Sequence, residues 1–176
     1  QENLVKYIKN RSMHNSEVLG CGLGKVKGEI EIFIPVYRGI IFDGLASTSE
    51  LEARNFFKHD RFFFYNEHKL KVVKSNVEIQ TLDSFKLNPA VLKIDVQGAE
   101  LDVLEGAMET ISNAQPIIFL ERPKTHREIK FLSKFNYEGY IFKKNMLVKR
   151  NDGYNVIFLT KHHLSILSKK IWIKSD

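Results

Sequence analysis

The stretch Val91–Glu105, V-L-K-I-D-V-Q-G-A-E-L-D-V-L-E, changes its hydrophobic period partway along. Ala90, Val91, Leu92 and Ile94 form an apolar run broken only by Lys93, which suits a buried strand. After Asp95 and Gly98 the apolar residues Ala99, Val103, Leu104 and Ala107 fall at helical spacing, so the glycine marks a strand-to-helix turn. A carboxylate leaving the carboxyl end of a strand toward a helix N-terminus stands where open parallel sheets keep their ligands.

Working outward, the helix is expected to run to about Asn113, and Pro116–Leu120 is a second continuous apolar run suited to a parallel strand buried on both faces. It ends on Glu121 and Arg122, again charge at a strand's carboxyl end. A helix over Thr125–Phe135 follows, with Thr125 and Glu128 spaced as a capping box. Two strands near 139–148 and 154–160 are joined by Asn151-Asp152-Gly153, a hairpin signal. The tail from Leu164 to Lys174 mixes apolar residues with lysines. It is read as a docked terminal helix or strand, with weak contact to an anionic membrane surface as the alternative.

Upstream, Glu2–Asn15 reads as an amphipathic helix and Ser16–Leu19 as a short strand running into Gly20-Cys21-Gly22-Leu23-Gly24. Such a loop resembles a nucleotide-binding turn, which requires a helix next. Lys25–Pro35 alternates with period two instead, so a β-hairpin with its reversal at Gly24–Gly28 is expected. Ser49 is placed to cap a short helix over Glu50–His59. Phe62–Tyr65 reads as a buried aromatic strand and Leu70–Leu82 as a long one, with Asp83 at the turn beyond it.

Composition bounds the rest. With 176 residues, 43% of them hydrophobic, the chain is long enough for one domain with a core. The net charge of +6 comes from 27 basic residues spread throughout, with no dense block of the kind that marks nucleic-acid binding. Cys21 is the single cysteine, which excludes an intrachain disulfide framework and fits a reducing cytoplasm. No apolar run is long enough to span a membrane. The six histidines show no metal-ligand spacing, and no metal is assigned.

The string L-K-I-D-V-Q-G-A-E-L-D-V-L-E-G-A, followed after a spacer by P-I-I-F-L-E, resembles the FkbM family of S-adenosylmethionine-dependent methyltransferases. Ile79–Asp83 and Gly22–Ile30 resemble the family's upstream elements, and the likeness spans most of residues 17–160. The resemblance implies an α/β fold: a class I methyltransferase, Rossmann-like sheet with a β-hairpin insertion and a C-terminal antiparallel strand pair, in a single domain over 1–176. The family's glycine-rich D-x-G-A-N-x-G loop and second strand have no counterpart here. The sheet is therefore expected to be N-terminally incomplete, the natural polypeptide longer, and these residues alone inactive.

The resemblance also implies the chemistry, an O-methyl transfer from S-adenosylmethionine to a hydroxyl of a sugar, a polysaccharide precursor or a small metabolite. Asp95, Glu100 and Glu121 are the candidate catalytic carboxylates, with Asp95 a base if burial raises its pKa. Read structurally, Asp95 caps the following helix, Glu100 answers the helix dipole, and Glu121 pairs with surface charge. Cys21, Gly22, Leu23, Asp95 and Gln97 are the candidate cofactor contacts, Gln97 standing where the family usually has glutamate. Arg122 and His126 are candidate substrate contacts. Three carboxylates suit a hard cation only where they converge. Two other functions stay open: a degenerate carbohydrate- or protein-binding module, and an oxidoreductase using Gly20–Gly24, which needs a helix right after Gly24.

Overall fold

The computed structural model describes residues 15–57, 65–96, 98–121, 126–168 and 172–174. Of the expected helix over Glu2–Asn15 only Asn15 is among these residues, while the aromatic run Phe62–Phe64, Gln97, Arg122 and Thr125 lie outside them. The chain separates into two compact units, residues 1–22 with 28–79, and residues 23–27 with 80–176. The architecture is mixed α/β, with two sheets among the described residues.

The first sheet has the order β1-β4-β2-β3, built from Gly22–Leu23 (β1), Gly28–Tyr37 (β2), Ile40–Ile41 (β3) and Leu70–Gln80 (β4). The alternation over Lys25–Pro35 does produce a strand, but β2 pairs antiparallel with the distant β4 along its whole length, Gly28 opposite Ile79 and Tyr37 opposite Leu70. The expected hairpin at Gly24–Gly28 is therefore replaced by bends leading into a non-local pairing. The helix demanded by the oxidoreductase reading is absent there as well. The short first strand sits at Gly22–Leu23 and not at Ser16–Leu19, which is irregular. Gly22 lies close against β4, where a Cβ would stand 2.6 Å from Ile79 Cδ1 and that side chain would have to shift. A local hairpin does form between β2 and β3 through Arg38 and Gly39, both at positive φ (52° and 82°), the geometry of a two-residue turn. Behind β2, Tyr37, Phe57 and Leu70 form a small core with Phe42, Phe56 and Tyr65. Glu50–Asn55 (α1) begins as expected, its N-cap Ser49 accepting a hydrogen bond from the Glu52 N–H at 3.4 Å.

The second sheet has the order β10-β8-β7-β9-β6-β5. Val91–Ile94 (β5) and Ile117–Glu121 (β6) pair parallel and in register, Val91 opposite Ile117 and Ile94 opposite Leu120, as the two apolar runs predict. Asn155–Leu159 (β9) runs antiparallel between β6 and Glu138–Lys143 (β7). The expected strand over 139–148 is split, because Met146–Lys149 (β8) turns back on β7 through Lys144 and Asn145, both at positive φ. Asn151–Gly153 then connects β8 to β9 across β7, so it makes no hairpin. The tail docks as a strand, Trp172–Lys174 (β10), parallel to β8.

One face of this sheet carries the helices. The single helix expected after β5 is broken into Glu100–Glu105 (α2) and Met108–Ala114 (α3) at Gly106-Ala107. The N-terminus of α3 is held by Asp83, whose carboxylate accepts from the Glu109 and Thr110 N–H groups at 3.0 and 2.8 Å and from the Thr110 hydroxyl at 2.7 Å. His126–Ser133 (α4) completes the layer. Ile94, Ile118, Leu120, Val156 and Phe158 from the strands meet Val103, Leu104, Ile111 and Leu132 from these helices in the main core. The opposite face is covered only in part. Leu164 and Leu167 of Lys161–Leu167 (α5) pack there on Tyr140, Leu147 and Leu159.

The start of α5 is a capping box in which the Thr160 N–H donates to His163 Nδ1 at 3.0 Å, which requires that nitrogen to be unprotonated. Burial first, and then the His162 charge, hold the His163 pKa below its ordinary 6.5, against a backbone hydrogen bond with Gln115 that raises it. A depressed histidine adds stability that is complete above the unfolded pKa and is lost as pH falls through the folded one. Denaturant unfolding should therefore show a loss of stability below about pH 6.5 that is reduced in His163→Asn. An identical pH profile for the variant would show that the cap does not titrate with the fold.

Candidate functional site

Strand alternation decides which side chains reach the carboxyl edge of the second sheet. Ile94, Ile118 and Leu120 point into the helix-covered core, so Lys93, Phe119 and Glu121 stand on the other face. Asp95 follows Lys93 by two residues and shares its side, and Lys93 Nζ lies 2.9 Å from Asp95 Oδ2. The hydrogen bond that Lys93 donates to Asp95, and then the charge of that carboxylate, raise the Lys93 pKa, with Glu121 adding to the same effect. The structure thus gathers one ammonium and two carboxylates at the ends of adjacent parallel strands.

Asp95 does not cap α2, whose N-cap is Ala99 with no side-chain hydrogen bond. Nor is it enclosed: its side chain is 34% exposed, because β5 is the outer strand of its sheet among the described residues. Glu100 behaves differently. It is only 4% exposed, and its Oε1 accepts from the Gly98 N–H at 2.9 Å. Gly98 itself takes φ 118°, a conformation that favours glycine, so Glu100 clamps the turn that carries the chain out of Asp95.

The remaining candidates are spread more widely. His126 is exposed at the first position of α4. Gln97 and Arg122 lie outside the described residues. Cys21 and Gly22 belong to the first unit, while Leu23 belongs to the second and packs against its main core. Among the described residues no group of three or more His, Cys, Asp or Glu side chains could hold a metal ion.

Lys93, Glu121, Phe119, Ile157, Phe142 and Tyr154 line a cavity of about 580 Å³, with Asn155, also in its lining, opposite Glu121 in the β6–β9 register. Of these residues sequence reading finds only Glu121. Lys93 carries a legible signal, the one charge in an apolar strand and two residues before an acid. Asn155, Phe142 and Tyr154 carry none, because only strand pairing brings them to Glu121.

The donor set limits what the site can hold. Carboxylates at Asp95 and Glu121 suit the hydroxyls, ammonium or sulfonium of S-adenosylmethionine. Leu23, packed into the core, and Gly22, with Ile79 against its Cβ position, leave mainly backbone groups to offer.

A profile of the methyltransferase FkbM domain matches residues 2–168. No curated protein matches the chain. Among solved structures, the chain is similar to the crystal structure of methyltransferase FkbM from Methylobacillus flagellatus KT, at 14% identity and a TM-score of 0.48. That likeness covers 89% of this chain but 32% of the other, so the chain spans about a third of that protein's length.

Proposed function

The chain belongs to the FkbM methyltransferase family, and from that premise we propose that it serves an S-adenosylmethionine-dependent O-methyltransferase acting on a hydroxyl of a sugar, a polysaccharide precursor or a small metabolite. The family match over residues 2–168 carries this reading, and it runs across both compact units, which supports a single methyltransferase domain. The order β5, β6, β9, β7, with β9 antiparallel between its neighbours, supports a class I, Rossmann-like sheet.

Bound S-adenosylmethionine supplies a methyl group already made electrophilic by its sulfonium. The protein's task is then to orient the acceptor, exclude water and receive the hydroxyl proton. Asp95 and Glu121 accept hydrogen bonds at adjacent strand ends and attract positive charge. Lys93 fixes the Asp95 carboxylate, and Glu100 acts as a positioning residue by holding the Gly98 turn. Gln97, Cys21, Gly22 and Leu23 are the further cofactor contacts of this reading, and Arg122 and His126 its substrate contacts.

Titration calorimetry of the natural full-length polypeptide with S-adenosylhomocysteine tests the proposal. One-to-one binding is the expected result. The absence of any heat of binding, with the protein folded by circular dichroism, would overturn it.

A further inference from the structure

We infer that the β7–β8 turn and the outer side of α5 form a surface that lies against a membrane leaflet of anionic lipid. The charge of the chain is unevenly placed. Residues 138–176 hold eight of the 27 Lys and Arg but only three of the 21 Asp and Glu, so five of the six net positive charges fall in that segment. Scarcity of acid makes the excess, and the acids described there are already engaged. Glu138 pairs with Lys149 at 2.8 Å and accepts from the Tyr140 hydroxyl at 3.0 Å, while Asp152 accepts from Arg150 Nε at 2.7 Å. Lys143, Lys144 and Lys161 are exposed and form no ion pair among the described residues.

Backbone geometry sets where these charges stand. Lys144 and Asn145, at φ 49° and 61°, make the two-residue reversal that carries Lys143 and Lys144 to the tip of the β7–β8 hairpin. Cross-strand pairing puts Phe142 on the α5 side of the sheet, because its partner Leu147 belongs to the cluster on which Leu164 and Leu167 pack. Phe142 is nevertheless 56% exposed. With Leu164 and Leu167 turned to the sheet, helical spacing turns Ile166 outward, where it is 52% exposed, and Lys161 opens the same helix. Two large apolar side chains thus face out on this side, with uncompensated lysines beside them at the turn and at the start of α5. Such a surface suits a lipid interface, the lysines taking phosphates and Phe142 and Ile166 entering the acyl boundary. A nucleic acid would meet the same lysines but gains nothing from an aliphatic side chain at Ile166.

Co-sedimentation of the natural full-length polypeptide with vesicles tests this. Binding to mixed phosphatidylcholine and phosphatidylglycerol vesicles is expected, with none to phosphatidylcholine alone, and added salt should weaken it. A lysine near an anionic leaflet is worth about fivefold in partitioning, so Lys143→Gln combined with Lys144→Gln should weaken binding on the order of thirtyfold. Lys130→Gln combined with Lys134→Gln removes the same charge from the helix layer on the sheet's other face and should change it little. Phe142→Ala should weaken binding severalfold, and that loss should persist at salt concentrations that erase the lysine effect. The replaced side chains are all exposed, so these variants keep the fold. Failure to bind the anionic vesicles overturns the inference, as does an equal loss in the two lysine pairs, which would leave net charge alone as the cause. So does binding of an oligonucleotide, lost in the Lys143 and Lys144 variant, by a protein that ignores the vesicles, which would give the surface to nucleic acid.

Discussion

Asp95→Ala is expected to lower methyl transfer by at least about a hundredfold, the scale of losing a positioned proton acceptor, while leaving the fold intact. The activity half of this expectation follows from geometry. Asp95 leaves the end of β5 beside Glu121, is held at 2.9 Å by Lys93, and departs through a turn fixed by Gly98 and Glu100. The stability half follows from exposure, since the Lys93 and Asp95 side chains are 62% and 34% exposed and surface ion pairs contribute little. Turnover kinetics and thermal unfolding on one preparation read both halves. A variant with wild-type kcat would remove Asp95 from the reaction. One that loses activity only because it unfolds would make it structural. Binding of S-adenosylhomocysteine by the same variant then separates acceptor chemistry from cofactor capture.

Gly106→Ala is expected to cost about 3 kcal/mol, at the upper end for overpacking, and to lower the melting temperature by roughly 10 °C. The backbone there has φ −83°, which any residue adopts, so conformational freedom is not the issue. The obstacle is steric: a Cβ would fall well inside contact distance of the Gly24 carbonyl oxygen. Neither partner is loose. Gly106 donates to the Asp102 carbonyl and accepts from the Asp83 N–H, each at 3.0 Å, while Gly24 donates to the Gln80 carbonyl at 3.0 Å. The Lys25 to Glu105 ion pair, also 3.0 Å, spans the same junction. Gly44→Ala is the control, because its Cβ would meet nothing within 4 Å. Equal melting temperatures for the two variants would show that the Gly24 segment moves aside at little cost.

The candidate site was legible where chemistry and chain order coincide. Asp95 and Glu121 stand at the ends of the two apolar runs, and the runs pair as expected. Turns without glycine hid part of the fold. The β7–β8 reversal uses Lys144 and Asn145 at φ 49° and 61°, a conformation asparagine tolerates but K-N does not announce. The Asn151-Asp152-Gly153 signal proved to be a crossing connection, since a turn sequence does not reveal which strands its flanks will join.

By itself the sequence determined the local states. Continuous apolar runs became the parallel strands β5 and β6, period-two alternation became β2, and Ser49 capped a helix, because burial pattern and side-chain hydrogen bonding act over a few residues. Tertiary structure alone decided partnership. It sent β2 to a strand about forty residues away, broke a helix at Gly106 to admit the Gly24 carbonyl, and set Asn155 across from Glu121. Those outcomes depend on which distant surfaces fit at contact distance, and no window of neighbouring residues carries that information.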